Sequence, residues 1–298
     1  MSNACKKMVL SARAGLFMSA LALCSAGVFA GSQNIPQDVK SRGYLLVGIE
    51  STYPPMAYKD PATNERVGFN VDLVSALAKE IGIPVKYEEM SFEQLMLAVS
   101  TGRIDVIGSA ISDLPSRRDK LTFVDYLNTG AQMFTTTSRG QENSQTTDFC
   151  GKKIGTPRST SYYTETQKWG DKECAPLGKP VPEVMGISGA TATRVDLKQS
   201  RLDAAVLGPE YVSYLMKEEP NTYLPIGAPI ATQYFGLAVA KDHLGMRDLM
   251  VSALKEVMKN GDYQRALTKH GLESQAVSEV TIDSADSPVT QQAKEAKL

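Results

Sequence analysis

The chain has 298 residues, of which 42% are hydrophobic and 22% charged, and its 32 basic and 33 acidic residues leave a formal net charge of −1. This balance offers no basic surface to nucleic acid, so we expect no nucleic-acid partner. A chain of this length folds as one large domain or two medium ones.

The N-terminus predicts a secretory signal peptide over residues 1–30. Three basic residues precede an uncharged, largely apolar stretch at residues 14–29, and Val28-Phe29-Ala30 forms a small-residue cleavage site. The apolar stretch is shorter than the roughly 20 residues that a membrane-spanning helix needs. We therefore expect cleavage after Ala30 and export to the periplasm. Because cleavage removes three basic and no acidic residues, the net charge falls to about −4.

Cleavage also removes two of the four cysteines and leaves Cys150 and Cys174. In an oxidising compartment such a pair favours a disulfide. Lipid attachment at Cys24 is an alternative to free secretion, but Leu23 is bulky where processing needs a small residue. For Cys150 and Cys174, a metal site is the alternative to a disulfide. The chain has only two histidines, both far along the sequence, so we expect no metal, no cofactor and no His-activated nucleophile.

Apolar runs of about five residues alternate with helical patterns, which is typical of βα units around a mostly parallel sheet. The clearest helix, residues 71–81, has an apolar face and ends at Gly82. Ser91 and Gln94 have the spacing of a capping box at the start of the next helix. In chain order we predict a strand at residues 44–49, a helix at 71–81, a strand at 84–88, a helix at 91–100 and strands at 104–108 and 131–135.

A short repeat indicates two similarly built lobes. Residues 101–106, Thr-Gly-Arg-Ile-Asp-Val, resemble residues 199–204, Gln-Ser-Arg-Leu-Asp-Ala, and both follow a helical pattern and open a strand. Chance recurrence of a common helix-to-strand turn is the alternative.

We therefore predict a two-lobed α/β fold in which each lobe is a mostly parallel sheet flanked by helices. The chain crosses between the lobes twice, and the two crossings form a hinge. Residues 281–298 are polar and aperiodic, which predicts a disordered tail. The predicted boundaries are residues 34–135 and 232–280 for lobe 1 and residues 136–231 for lobe 2.

Polar residues follow several of the predicted strands, where α/β sheets place their ligands. Arg117 lies in a turn that we expect to open a helix, and its guanidinium can bind a carboxylate with help from the hydroxyls of Ser109 and Ser112. The alternative is a solvated charge cluster in which the arginine pairs with a nearby aspartate. We expect Arg118 to form such a solvated charge cluster.

Two aromatic residues and one acid complete the candidates in lobe 1. Tyr53 and Phe92 follow predicted strands and are candidate walls of a cleft, suited to apolar ligand surface or to a cation. Glu50 is a candidate partner for a ligand ammonium group. For Tyr53 and Phe92, the alternative is hydrophobic packing at a strand end. For Glu50, the alternative is an exposed position on a loop.

In lobe 2, Arg158, Thr160 and Ser161 follow a predicted strand and open a predicted helix. Hydroxyls and N–H groups at a helix N-terminus suit an anion. An ordinary helix cap, for which Ser159 would suffice, is the alternative.

Residues 43 to about 273 resemble family 3 of the bacterial extracellular solute-binding proteins, the periplasmic receptors for amino acids and related molecules in ABC importers. The most specific likeness is Gly68-Phe69-Asn70-Val71-Asp72-Leu73, in which Asn70 stands where the family usually has an acid. The resemblance implies a receptor and not an enzyme, with a small-molecule ligand and the membrane permease of an ABC importer as partners. We also expect a monomer.

The resemblance assigns roles to single residues. The family segment that holds the ligand α-carboxylate matches Ser112 and Arg117, although Leu114 and Ser116 depart from its pattern. The other matched positions are Glu50, Tyr53 and Phe92 in lobe 1 and, in lobe 2, Ser159, Thr160, Ser161 and the cysteines Cys150 and Cys174.

One departure concerns the ligand ammonium group. Amino-acid-binding members usually carry an Asp five residues after the Asp of an Asp-Ala-Ala strand. Counting from Asp203, that position is Gly208, and nearby Glu210 would need a bulge to reach it. We therefore expect weak binding of ordinary α-amino acids.

Two other functions are alternatives to a transport receptor. A periplasmic cyclohexadienyl-type dehydratase on the same fold would need an acid of raised pKa, for which Glu50 and Glu210 are the candidates. A ligand-sensing module for a separate signalling chain is the other, and fold analogy alone does not separate the three.

Overall fold

The computed structural model describes residues 34–140 and 145–284. The predicted signal peptide at residues 1–30 and residues 285–298 of the predicted tail lie outside the described residues. In the part that is described, no helix combines the length and the apolar character needed to span a membrane.

The hydrophobic cores of the described residues divide between two lobes, as predicted, with two core clusters in lobe 1 and one in lobe 2. In lobe 1, Phe69 and Leu254 from helices pack with Val47 from a strand. In lobe 2, Phe134 and Trp169 belong to a core of their own. Burying side chains of this size stabilises the fold by about 1.5–3 kcal/mol each. Each lobe therefore has its own source of stability.

The first part of the chain builds most of lobe 1. The strand Leu45–Ile49 lies between the strands Val85–Glu89 and Val106–Ile107 and is parallel to both, while three short strands within residues 52–67 form a small antiparallel sheet. The last strand of this part, Leu121–Thr136, is 16 residues long, so the strand predicted at residues 131–135 is only its end. In chain order these elements are α1 (Gln37–Arg42), β1 (Leu45–Ile49), β2 (Thr52–Tyr53), β3 (Ala57–Lys59), β4 (Arg66–Val67), α2 (Phe69–Ile81), β5 (Val85–Glu89), α3 (Phe92–Ser100), β6 (Val106–Ile107) and β7 (Leu121–Thr136).

Sequence signals set the ends of α2 and α3, as predicted. Gly82 ends α2 with φ 82°, a left-handed conformation that glycine adopts at little cost. The side chains of Ser91 and Gln94 each accept a hydrogen bond from the other residue's backbone N–H, which forms the predicted capping box. α3 consequently begins at Phe92, next to the end of β5.

Lobe 2 repeats the arrangement. The strand Lys153–Pro157 lies between the strands Glu183–Ile187 and Ala204–Leu207 and is parallel to both. Its elements are α4 (Thr137–Gly140), β8 (Lys153–Pro157), α5 (Ser161–Trp169), β9 (Glu183–Ile187), α6 (Ala190–Lys198), β10 (Ala204–Leu207), α7 (Pro209–Glu218) and β11 (Tyr223–Pro225). The chain then returns to lobe 1 through β12 (Ala231–Ala240), α8 (Leu244–Lys259), α9 (Asp262–His270) and β13 (Ala276–Ile282).

Two long strands connect the lobes. β7 pairs antiparallel with β12 from Leu121 to Ala131, and from Gln132 onward it pairs with β10 of lobe 2. The change of partner between Ala131 and Gln132 comes slightly before the boundary predicted at residue 135. The same strand thus belongs to the sheets of both lobes.

The repeated turn has the same structure in both lobes. Asp105 accepts the backbone N–H of Leu46 in β1 at 2.7 Å, and Asp203 accepts the backbone N–H of Lys153 in β8 at 2.9 Å. Each aspartate also forms an ion pair with an arginine that precedes that strand. The sequence echo therefore reflects a common way of anchoring equivalent strands.

The predicted disulfide between Cys150 and Cys174 is present. It joins the start of lobe 2 to a π-helical turn at Gly170–Cys174 that follows α5.

The predicted start of the disordered tail, residue 281, is wrong. β13 continues to Ile282, and the Thr281 hydroxyl donates to Asp125 Oδ2 at 3.0 Å. Pairing with β7 supplies hydrogen-bond partners that a polar, aperiodic sequence does not reveal.

Candidate functional site

A cleft with a volume of about 390 Å³ lies between the lobes. Its size is within the range of small-molecule sites. Lobe 1 contributes the chain segments after β1, β5 and β6, and lobe 2 contributes those after β8 and β9. All nine predicted ligand-binding residues line this cleft: Glu50, Tyr53, Phe92, Ser109, Ser112, Arg117, Arg158, Thr160 and Ser161.

Arg117 is the cation on the lobe 1 side. Its Nη1 donates to the carbonyl of Ser112 at 2.7 Å, and its guanidinium carbon lies 5.8 Å from the centre of the Phe92 ring. Burial lowers the pKa of Arg117 to about 10, so the group is still charged at neutral pH. Among residues 34–140 and 145–284, no carboxylate lies within ion-pair distance of it. The cleft thus holds a partly desolvated positive charge that lacks a protein anion.

The local structure around Arg117 differs from the prediction. Residues Pro115–Arg117 form a single 3-10 turn and not the start of an α-helix. The backbone N–H of Arg117 bonds to Leu114 and that of Arg118 to Pro115. Because β7 begins at Leu121, there is no room for a longer helix. Backbone N–H groups of this turn are therefore already used, and the side chain supplies the positive charge.

Arg118 pairs with a nearby aspartate, as predicted, but the pair is largely buried and is not the solvated cluster that was expected. Its Nε and Nη2 donate to the two oxygens of Asp113 at 2.7 and 2.8 Å. The Asp113 side chain is fully buried, so this pair fixes the turn to the body of lobe 1.

Three polar side chains meet at the base of the cleft. The hydroxyl oxygens of Ser112 in lobe 1 and Ser161 in lobe 2 are 3.2 Å apart, and Gln233 on β12 donates to Ser161 at 2.8 Å. All three residues are buried. A ligand atom placed here would contact both lobes and the hinge at once.

The lobe 2 wall is the N-terminus of α5. The helix begins at Ser161, so the N–H groups of its first turn have no partner within the helix. Thr160 is the residue at the cap position, and not Ser159; its hydroxyl donates to the carbonyl of Pro157. Arg158 is exposed at the rim. This arrangement supplies N–H donors and one exposed cation to an anion in the cleft.

Two acids lie near the start of α3. Glu50 Oε1 accepts the backbone N–H of Phe92 at 3.3 Å. Burial, together with the negative charges of Glu89 and Glu93, raises the pKa of Glu50. Glu93 accepts a hydrogen bond from the Ser159 hydroxyl and so bridges the lobes. Glu50 also lines the cleft, and its side chain makes no hydrogen bond to lobe 2 in the part of the chain that the structure describes.

Tyr53 extends from lobe 1 into lobe 2. Its hydroxyl donates to Glu210 Oε1 at 2.9 Å, accepts the N–H of Gly208 at 3.0 Å and lies 3.0 Å from the hydroxyl of Tyr162. Its ring stacks on Tyr211 with the ring centres 5.0 Å apart. Burial and the charge of Glu210 raise the pKa of Tyr53 well above its usual value. Tyr53 is therefore a neutral donor held by lobe 2, and only part of it faces the cleft.

Glu210 fills the space beside Gly208. An ideal Cβ on Gly208 would lie 1.7 Å from Glu210 Oε1. The side chain reaches this place from the first turn of α7, so the prediction that it would need a bulge is wrong. Its other oxygen accepts hydrogen bonds from Thr129 at 2.8 Å and Gln275 at 3.1 Å. Burial raises the pKa of Glu210, although these donors oppose the shift.

Several cleft residues were missed by sequence reasoning. Glu93 gave no signal because an acid in the first turn of a helix is common. Residues 188–190 follow β9, a strand whose mixed exposure gives no clear period. Phe235 lies on β12, one of the two strands that connect the lobes. Had β9 been predicted as a strand, the turn after it would have been assigned to the cleft, because ligands bind at the carboxyl ends of strands in α/β sheets.

Comparison with known proteins identifies the family of the chain. Residues 45–273 match the family model of bacterial extracellular solute-binding proteins, family 3. The chain belongs to this family. The arginine-binding protein ArgT of Corynebacterium glutamicum is 24% identical over 84% of this chain and 81% of its own length. The L-cystine-binding protein TcyA of Bacillus subtilis is 25% identical over 89% of this chain and 97% of its own.

Solved structures agree with the observed fold. Holo ArgBP from T. maritima is 26% identical, with a TM-score of 0.65, and the match covers 79% of this chain and 99% of that one. The likeness spans both lobes, so the predicted family and the two-lobed fold are confirmed. The cleft of this family 3 solute-binding protein lies between lobes that are built like those of its relatives.

Proposed function

We propose that this solute-binding protein captures a small carboxylate-bearing solute, an amino acid or amino-acid-like molecule, in the periplasm and delivers it to the membrane permease of an ABC importer. Its family consists of extracellular solute-binding proteins, and the relatives named above bind arginine or L-cystine, both of which carry carboxylates.

The unpaired charge of Arg117 is the observation that carries the proposal. A partly buried guanidinium without an anion is costly, and a ligand carboxylate would offset this cost. The guanidinium can bind both oxygens of a carboxylate in one plane. Phe92 lies beside it and offers apolar surface to the rest of the ligand.

The ligand would also hold the lobes together. A carboxylate at Arg117 in lobe 1 can accept hydrogen bonds from Ser112 and from Ser161 of lobe 2, whose hydroxyls are neighbours. These contacts exist together only when the lobes are closed. Binding therefore shifts the hinge equilibrium by the difference in ligand affinity between the closed and open forms. A micromolar dissociation constant, about −8 kcal/mol, is ordinary for such a site.

A thermal-shift screen of amino acids, opines, organic acids and amines tests the proposal, followed by calorimetry of the compounds that bind. We expect every ligand to carry a carboxylate, and amines without one to leave the melting temperature unchanged. Tight binding of a simple amine, or stabilisation by no carboxylate in the screen, would refute a carboxylate receptor.

We further propose a monomeric mature protein that begins at Gly31. Intact-mass measurement of periplasmic protein checks the cleavage site after Ala30, and light scattering checks the monomer. A mass that includes residues 1–30, or an acylated Cys24, would contradict this part of the proposal.

The dehydratase is the alternative that one observation favours. Glu50 lines the cleft and has a raised pKa, whereas Glu210 does not line it. Incubation with prephenate separates the functions. We expect binding at most and no turnover, while turnover that Glu50→Gln abolishes would establish the enzyme instead.

A further inference from the structure

We infer that Tyr53, held in place by Glu210, makes the cleft selective for carboxylic acids that have no amino group next to the carboxyl group. The inference rests on the proposed function, in which Arg117 holds the ligand carboxylate.

An amino group adjacent to that carboxylate would lie near the tyrosines. Ser161 and Tyr162 are consecutive, and both line the same cleft as Arg117. The Tyr162 hydroxyl in turn lies 3.0 Å from that of Tyr53. The substituent on the carbon next to the ligand carboxyl group therefore faces two phenols.

Those phenols do not provide a negative charge. Burial and Glu210 raise the pKa of Tyr53 and of Tyr162 well above the usual value, so both stay protonated at neutral pH. A buried ammonium group needs an anion beside it, and a neutral hydroxyl does not compensate for lost hydration.

Glu210, the acid that lies behind the phenols of Tyr53 and Tyr162, cannot reach the ligand. Glu210 accepts hydrogen bonds from Tyr53, Thr129 and Gln275 and is 1% exposed. It does not line the cleft. Because its carboxylate also occupies the space beside Gly208, no other side chain can be placed there without displacing it. Glu210 therefore positions Tyr53 and leaves the ligand without an anion at this corner.

An amino group further along the ligand meets a different environment. Glu50 lines the cleft and accepts the backbone N–H of Phe92 at the start of α3, so a carboxylate is available there to a cationic group. The favoured ligands are thus simple carboxylic acids, or acids whose only cationic group is remote from the carboxyl group.

Matched pairs of probes test the selectivity by calorimetry on the full mature protein. The pairs differ only in the amino group next to the carboxyl group: L-lysine with 6-aminohexanoate, L-arginine with 5-guanidinopentanoate, and L-phenylalanine with 3-phenylpropanoate. We expect at least one pair to bind, with the member that lacks this amino group bound at least tenfold more tightly.

A variant then tests the role of Tyr53. Tyr53→Ala opens a path to the Glu210 carboxylate, so the affinity ratio should shift at least tenfold toward the amino acid. Tyr53→Leu gives the same test with more packing on Tyr211 retained, should the alanine variant fail to fold. Tyr58→Ala is the control, because Tyr58 also contacts lobe 2, 5.9 Å from Tyr214, but does not line the cleft. Its ratio should equal that of the wild type.

The outcomes separate this inference from the proposed function. If the amino acid is the tighter member of the pairs that bind, the selectivity is refuted while the carboxylate receptor stands. If the ratio is unchanged in both Tyr53 variants, or changes as much in Tyr58→Ala, Tyr53 does not set it. If no carboxylate binds, either in these pairs or in the wider screen, the proposed function fails and this inference with it.

Discussion

Arg117 and Arg118 are adjacent in the chain, yet within residues 34–140 and 145–284 only Arg118 has a carboxylate partner. Arg118 binds both oxygens of buried Asp113, whereas the one side-chain hydrogen bond found for Arg117 goes to the carbonyl of Ser112. The 3-10 turn directs the side chain of Arg118 into the body of lobe 1 and the side chain of Arg117 into the cleft. Neighbouring residues of the same type therefore have different functions, one in stability and one in the proposed binding site.

The disulfide should contribute to stability. Cys150 and Cys174 are 24 residues apart, and closing a loop of that size stabilises the folded state by about 3 kcal/mol in the loop-entropy description. Protein isolated from the periplasm should contain no thiol that reacts with an alkylating agent under native or denaturing conditions. Reduction should lower the free energy of unfolding, measured with urea, by about that amount. Two alkylated cysteines in unreduced protein would contradict the assignment.

Asp125 should make stability depend on pH. Burial, with a contribution from the charge of Asp113, raises the pKa of Asp125 to about 8, compared with about 4 in an unfolded chain. Between these values the folded protein binds a proton that the unfolded chain does not. The free energy of unfolding contributed by this group therefore falls as the pH rises from about 4 to about 8.

Asp125→Asn removes this titration. At pH 8 the variant should be more stable than the wild type by on the order of a few kcal/mol, and the difference should shrink toward pH 5. Urea unfolding at both pH values measures it. Asp119→Asn, at an exposed position, is the control and should show no such trend. A stability difference that is constant with pH would show that Asp125 is ionised in the folded protein.

The space beside Gly208 provides a test of the Glu210 conformation. Gly208→Ala places a methyl group 1.7 Å from Glu210 Oε1, so the carboxylate must move and lose hydrogen bonds. We expect a loss of about 1–3 kcal/mol in the free energy of unfolding. The matched control is Gly245→Ala in α8, where the nearest atom is 3.6 Å away and better helix propensity should stabilise the protein by about 0.5–1 kcal/mol. A neutral Gly208→Ala would mean that Glu210 lies elsewhere.

Local signals predicted much of the fold and the place of the site. The apolar face and final glycine of α2, and the capping box that begins α3, depend on residues close together in the sequence. Glu50, Phe92 and Ser109 could be assigned to one cleft because they follow strands whose ends meet at one edge of a sheet.

Contacts between the lobes could not be predicted in this way. Tyr53 and Glu210 are far apart in sequence, and their hydrogen bond depends on how the two lobes meet. The position of Glu210 over Gly208 depends on the first turn of α7, which no periodicity encodes. Residues 281–282 were assigned to a tail because their pairing with β7 joins distant parts of the chain.

The most direct test of the account compares Arg117→Ala with Arg118→Ala, using calorimetry with a carboxylate ligand from the screen and urea unfolding without ligand. Arg117→Ala should weaken binding by about 2–5 kcal/mol. It should not lower the free energy of unfolding, because it removes a buried charge that has no carboxylate within ion-pair distance among the described residues. Arg118→Ala should leave affinity nearly unchanged and lower the free energy of unfolding by about 3 kcal/mol, because Asp113 is left buried without a cation. Equal losses of affinity in the two variants, or a larger loss in Arg118→Ala, would contradict the assignment of Arg117 as the group that binds the ligand carboxylate.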